Sequence, residues 1–467
     1  MISNNSHKDK KILALALINI VILSFGHAYN TIPIIIIALA AFVSIVLFSP
    51  RKLFLPIMLF YLPWSAILKT NPFAFSFFTL VVPVIFIIII FDGLIKERKY
   101  NNEHLVIPLF FTAHTLFVKF FLNALPVQMP YLFFIMMIFF IPIYVSTYKK
   151  EISFETCVLF LTTGILSACI SAEKLMTNLF MQQYIIVHKE IGDITRLSGF
   201  VGDGNYYSAQ ILVAIAALLI VLGKTTNKAL MILQMASIIA LIYFGMQSVS
   251  KMFIISIVVI MILWLFNLLI EKRSLAYKLG MIITVAIASG IIAVNNLFSD
   301  QINLYMLRFG MVTDMDTLTT GRNSIELVYL NYLFSHIDKI FLGIGLSQDK
   351  FWLLLQFDKA PHNTLIDIIY QLGIAGGLFL LWWWNFVYQE LVGKIKMDIS
   401  RRMYFLIMAA SVFLPWLALD MLYSDEFFYF ILLLFISKNY LSNASNKQLN
   451  NNKKAENASV PKEVYVC

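Results

Sequence analysis

The chain has 467 residues, of which 60% are apolar and only 13% charged. Soluble domains average about 45–50% apolar and about 25% charged, so this composition excludes an ordinary soluble enzyme and describes a polytopic membrane protein. The formal net charge of +9 is read by position, because Lys and Arg beside membrane spans direct insertion. It is not read as nucleic-acid binding.

Apolar runs of about 17–22 residues suit bilayer-crossing helices, and the alternating short strands of a membrane barrel are not seen. In chain order the runs predict spans at 11–26, 32–49, 53–68, 73–91, 104–122, 128–147, 152–171, 205–222, 229–246, 252–270, 279–294, 370–391, 403–420 and 426–437. That makes fourteen, or twelve if 53–68, with Pro56 and Pro63, and the short 426–437 are re-entrant. The fold class expected is therefore all-α, a polytopic transmembrane helix bundle.

With the N-terminus in the cytoplasm, every inner segment is basic. These segments carry Lys8, Lys10 and Lys11; Arg51 and Lys52; Lys96, Arg98 and Lys99; Lys149 and Lys150; Lys224 and Lys228; Lys272, Arg273 and Lys278; Lys394, Lys396, Arg401 and Arg402; and the C-terminal tail. Lys/Arg placement of this kind sets topology, so both termini are expected inside. The first span has the basic start of a signal peptide, but Gly26-His27-Ala28 is a poor cleavage site, and removal would leave the remaining topology unchanged.

The organisation expected is a bundle over 1–171, an outer loop over 172–204, spans over 205–294, a large outer loop with short helices over 295–367, and spans over 368–437. A tail over 438–467, rich in Asn and Lys, is expected to be disordered. Cys157 and Cys169 fall twelve residues apart in one helix, about 18 Å by helical rise, too far to bridge. Cys467 is the last residue, so no prenylation box follows it.

Six of the spans (73–91, 128–147, 205–222, 229–246, 252–270 and 279–294) hold no ionisable Asp, Glu, Lys, Arg or His. Ion-coupled pumps place such residues in mid-membrane, so their absence counts against a pump. His114, inside a span, reads as a packing residue. The ionisable groups collect in the outer loops: Glu173, Lys174, His188, Lys189, Glu190, Asp193, Arg196 and Asp203 in the first, and Arg308, Asp314, Asp316, Arg322, Glu326, His336, Asp349, Asp358 and His362 in the second. That locates the chemistry at the outer face.

Within the second loop, "GRNSIELVYLNYLF" has helical periodicity and enough apolar residues to lie in the interface. "LSQDKFWLLLQF" reads as another short helix with Ser347 as its N-cap. Together they would make a lid or platform.

"RLSGFVGDGNYY" places Gly199, Gly202 and Gly204 ahead of Asn205, an N-cap type, at the start of a long helix. Uncapped amides at a helix start favour phosphate oxygens, and Arg196 adds a fork of donors for the same atoms. "TLTTGRNS" repeats the pattern with Gly321 before Arg322, and "KAPHNTLIDII" places His362 and Asn363 ahead of a helix whose Thr364 and Asp367 have capping-box spacing. Lys251 opens a further span and is otherwise an ordinary snorkelling anchor. Four outward helix starts beside cations or a histidine suit an anion arriving through the lipid layer, such as a lipid-linked pyrophosphate. Asp314-Met315-Asp316 matches the metal-holding Asp-x-Asp of some nucleotide-sugar transferases, but the chain has no room for their α/β domain. No His-Glu-x-x-His, Walker loop or nucleophile elbow occurs.

Taken together, "RLSGFVGDGNYYSAQILVAIAAL", "QSVSKMFIISIVV" and "TGRNSIELVYLNYLFSHIDKIFLGIGLS…APHNTLIDIIYQLGIAGGLFLL" resemble the O-antigen polymerase and O-antigen ligase family over about 190 to 385. Where many relatives carry Ser-Arg at a span start, this chain has Ser250-Lys251, which keeps the charge and loses the planar fork. The resemblance implies a GT-C-like inverting glycosyltransferase of the bacterial inner membrane. Its donor would be an undecaprenyl-pyrophosphate-linked oligosaccharide and its acceptor a glycan, with no metal or cofactor, among membrane lipids and alongside a chain-length regulator and a flippase. Arg196 and Arg322 would contact the pyrophosphate and His362 would lie at the reacting centre, with Gly204, Asn205, Lys251, Arg308, Gly321 and Asn363 completing the substrate site. His362 can accept the acceptor's proton, as can Asp203 or an acid of the second loop. Two outer loops suit two glycan ligands and favour a polymerase over a ligase. A lipid-linked oligosaccharide flippase is the alternative from another class, and it would want its cations in a central cavity.

Overall fold

The computed structural model describes residues 5–69, 76–95, 102–188, 195–283, 299–310, 312–313, 319, 321–347, 355, 359–392 and 397–459. The chain opens with α1 (Asn5–Ala28) and α2 (Ile32–Phe48), then a helical path of α3 (Phe54–Tyr61) and α4 (Ser65–Lys69). α5 (Phe77–Ile95), α6 (Glu103–Leu116), α7 (Met129–Tyr148) and α8 (Phe154–Leu175) complete the first half. After the short α9 (Gln182–Ile185) come two strands, β1 (Ile186–His188) and β2 (Thr195–Leu197), then α10 (Gly204–Leu222), α11 (Lys228–Gln247) and α12 (Lys251–Ile270). The second half adds α13 (Ser299–Gly310), α14 (Arg322–Ser335), α15 (Ile337–Leu342), α16 (Thr364–Val392), α17 (Ile399–Phe413) and α18 (Asp425–Ser459).

Ten helices among the described residues are long and apolar enough to cross a membrane, and α2 is a shorter apolar helix. A multi-pass helical membrane protein follows. Thirteen of the fourteen expected spans coincide with helices; the one at 279–294 lies, beyond residue 283, outside the described residues. The proline-bearing 53–68 is part of a path over Arg51–Lys69 long enough to cross, with a tighter turn at Leu62–Trp64 where Pro63 removes a donor. Three boundaries need correction. The span expected at 403–420 ends at Phe413, because Pro415 cannot continue the helix, so Asp420 lies in a connection. The helix expected from 370 begins at Thr364. The tail expected to be disordered from 438 stays helical to Ser459: no Gly or Pro interrupts it, and Leu441 and Ser442 are still buried.

α10 is the axis of the bundle. Its long run of Ala, Ile, Leu and Val is buried on every face from Tyr207 to Ile220, as expected of a helix apolar all round. It packs against α8, α11, α12 and α17. α3 is equally enclosed against α8, where Gly164 allows the backbones to touch: a Cβ there would sit 2.2 Å from the Phe60 carbonyl oxygen. Peripheral helices keep Leu, Ile, Val and Phe exposed, as on α1 and α12, the surface expected to face lipid.

α16 is broken. Gly373 has φ 64° and ψ −179°, and Gly343 at the end of α15 has φ 71° and ψ −161°, a region open essentially to glycine alone. The two glycines touch. At the break the carbonyls of Tyr370 and Gln371 accept from the amides of Ile344, Gly345 and Leu346, at 2.9–3.2 Å. The second loop thus replaces the hydrogen bonds that the helix loses.

Candidate anion-binding site at four helix starts

Connectivity brings the starts of α10, α12, α14 and α16 to one end of the bundle. Arg196 sits on the antiparallel ribbon of β1 and β2, paired with Val187. It is 3% exposed. Its Nε donates to the Ser248 carbonyl at 2.8 Å and Nη2 to Asn205 Oδ1 at 3.3 Å. Ser250 Oγ donates to the same Asn205 oxygen at 2.7 Å, which joins the starts of α10 and α12. Gly204 makes this possible, since a Cβ there would lie 2.9 Å from Arg196 Nη2.

The capping residue of α10 is Asp203, where the sequence suggested Asn205. Asp203 Oδ1 accepts from the amides of Asn205 at 2.7 Å and Tyr206 at 3.2 Å. The same holds elsewhere: Ser250 caps Phe253 N, Thr319 Oγ1 accepts from Asn323 N, and Asn363 Oδ1 accepts from the amides of Leu365 and Ile366. The capping box expected from Thr364 and Asp367 does not form, because Asn363 takes the cap. Helix-start amides are therefore largely satisfied by their own caps, and an anion would be held by side-chain cations with the helix dipoles behind them. Asp203→Ala is expected to cost about 1 kcal/mol through loss of the α10 cap, read as a lower melting temperature of the purified protein.

Arg322 is the first residue of α14, turned into place by Gly321 at φ 80°. It is half-buried and, among the described residues, makes no hydrogen bond or ion pair. Burial works against its charge, Asp203 supports it, and Arg196 opposes it. Two guanidinium groups thus lie in each other's field, while the nearby carboxylate of Asp203 is engaged by backbone amides. Asn363 Nδ2 donates to Glu326 Oε1 at 3.3 Å, tying α14 to α16. Burial raises the pKa of Glu326; the Asn363 bond and Arg322 resist this. His362, directly before Asn363, has φ 52°, an uncommon left-handed conformation for a non-glycine residue.

Lys251 opens α12 with its Nζ 5.7 Å from the Phe309 ring of α13. Arg308 lies on α13; its side chain is outside the described residues, as are Asp314, Asp316 and 348–354 of the second expected loop helix. The amides expected to be capped by Ser347 lie outside the described residues; its own amide donates to Gln371 Oε1 at 2.7 Å, and its hydroxyl accepts from Lys119 Nζ at 3.0 Å. Cys157 and Cys169 are buried free thiols, and His114 packs against Phe379 and the Leu372 carbonyl.

Sequence reading passed over Lys119, a fully buried cation within a span that also bonds the Leu346 carbonyl. It also passed over Tyr206, whose hydroxyl donates to the Asp420 carbonyl, and Asp420 itself, hidden inside an apolar run. No protein-family model, curated protein or solved structure matches this chain.

Proposed function

We propose that this chain is an O-antigen, capsule or exopolysaccharide polymerase: a GT-C-like, inverting, metal-independent glycosyltransferase. It would join undecaprenyl-pyrophosphate-linked repeats at the outer face of the bacterial inner membrane. The observation that carries the reading is Arg322, half-buried, without a hydrogen-bonding partner among the described residues and in the field of Arg196. Two desolvated cations, Arg322 opening α14 and Arg196 reaching from β2 to the start of α10, suit a ligand with several negative oxygens.

In this reading an acceptor hydroxyl attacks the anomeric carbon while the pyrophosphate departs from the opposite face. Arg196 and Arg322 stabilise the charge that builds on the leaving group, and stabilisation of that kind often lowers the barrier more than any other effect. His362 stands at the reacting centre, where a neutral imidazole can hold the hydroxyl. The test is the surface polysaccharide of cells carrying Arg196→Ala, Arg322→Ala or His362→Ala at matched protein levels. Loss of long chains with accumulation of single repeats is expected. Wild-type ladders in all three would end the proposal, and undecorated lipid A with free long chains would point to a ligase. Retention of repeats in the cytoplasm would point to a flippase.

A further inference from the structure

One buried acid is unaccounted for by these roles. Asp367, one turn into α16, is fully buried, and neither of its carboxyl oxygens has a well-formed hydrogen bond from the protein. It faces Asp420 within hydrogen-bonding range, and the Gln371 amide lies alongside. No Lys or Arg faces the pair among the described residues. The Leu422 amide bonds the Asp420 carboxyl, and three tyrosines lie near the pair: Tyr206 of α10, Tyr329 of α14 and Tyr370 of α16. Glu426 at the start of α18 lies beyond Tyr206.

Two carboxylates in contact without a cation cannot both stay ionised at low cost, and the ordinary solution is one shared proton. That proton supplies a donor for the unpartnered oxygens of Asp367 and for Asp420 Oδ1, while the Leu422 amide serves the Asp420 carboxyl as well. Burial also pushes the Asp420 carboxyl above its usual range.

The pair is held on a rigid frame. The Thr364 hydroxyl donates to the Leu419 carbonyl at 2.6 Å and accepts from the Met421 amide at 2.9 Å, bracketing Asp420. Tyr206 binds the Asp420 carbonyl and also lies near Asp203 and Arg322. Asp420 is half-buried as a residue, whereas Asp367 is fully enclosed. The more accessible member of the dyad is thus tied through Tyr206 to the start of α10, beside Asp203 and Arg322.

We propose that Asp420, sharing a proton with the positioning residue Asp367, is the general base that takes the acceptor hydroxyl's proton. This rests on the glycosyl-transfer reading above. The hydroxyl oxygen bonds to the anomeric carbon, and the bond from that carbon to the phosphate oxygen breaks, its electron pair leaving with the pyrophosphate. The hydroxyl proton passes to Asp420, and the dyad goes from one proton to two.

The experiment uses the full chain in lipid nanodiscs, with wild type compared against Asp420→Asn, Asp367→Asn and the double variant. Infrared spectra at neutral pH should show a protonated-carboxyl band in wild type that the double variant lacks. Extension of an isolated lipid-linked repeat should fall about 10²–10⁴-fold in Asp420→Asn, while binding of farnesyl pyrophosphate, the probe for the cation pair, stays at the wild-type level. Absence of the band, or wild-type turnover in Asp420→Asn, overturns the proposal. If wild type neither binds farnesyl pyrophosphate nor extends the repeat, the glycosyl-transfer reading fails and the assigned catalytic role falls with it. The band alone then decides whether the two acids share a proton.

Discussion

Replacing Arg322 with alanine is expected to lower chain extension by about 10²–10³, equivalent to about 2.7–4 kcal/mol, by analogy with loss of one preorganised oxyanion donor. The effect should be confined to turnover and ligand binding. The Arg322 side chain makes no protein hydrogen bond among the described residues, so its removal orphans no acceptor; it relieves the burial of a charge and the repulsion from Arg196, and gives up the attraction of Asp203 and Glu326. A melting temperature close to that of wild type is therefore expected beside the lost activity. Arg196→Ala should behave differently, because its guanidinium also braces Ser248 and Asn205, and stability should fall together with activity. Arg322→Lys should restore little if two-pronged contact matters. Full rescue by lysine would reduce the role to a point charge, and undiminished extension in Arg322→Ala would remove it.

The second large effect is expected at Gly343. Alanine there would meet the Gly373 amide nitrogen at 2.5 Å and the Gln371 carbonyl oxygen at 2.6 Å, both backbone atoms that cannot swing aside. Strain at φ 71° adds about 1–3 kcal/mol and overpacking about 1–3 more, about 2–6 kcal/mol in all. Gly202→Ala is the control: φ is 83°, but a Cβ would meet nothing within 4 Å, so only strain applies. Thermal unfolding of the two purified variants separates the contributions. Equal melting temperatures would mean that the contact between the two glycines does not hold the second loop to α16.

Hydrophobic run length made the helices legible, because a bilayer-crossing helix must be apolar over most of its length and that requirement is local. The helix starts at 204, 251, 322 and 364 were legible for a related reason, since capping residues and glycines sit beside the turns they make. Which residue caps was not. Asp203 and Asn205 are both good capping types, and only the position of Arg196 decides that Asn205 serves the guanidinium. Asp420 was hidden because hydropathy averages one acid among apolar neighbours, and its partner is fifty-three residues away in sequence. Asp367 looked like a helix-capping acid by spacing. Its burial against Asp420 depends on the long-range strap from Thr364, which no local pattern encodes.

The break at Gly373 has a mechanical consequence. The arm from 374 to 392 spans about 28 Å by helical rise, close to the roughly 30 Å of a hydrocarbon core. That arm crosses unaided, and the part carrying Asn363, Thr364 and Asp367 answers instead to the loop docked on its carbonyls. Tilting of the long arm as membrane thickness changes would be absorbed at the glycine hinge, leaving the spacing between the acid pair and the arginines undisturbed.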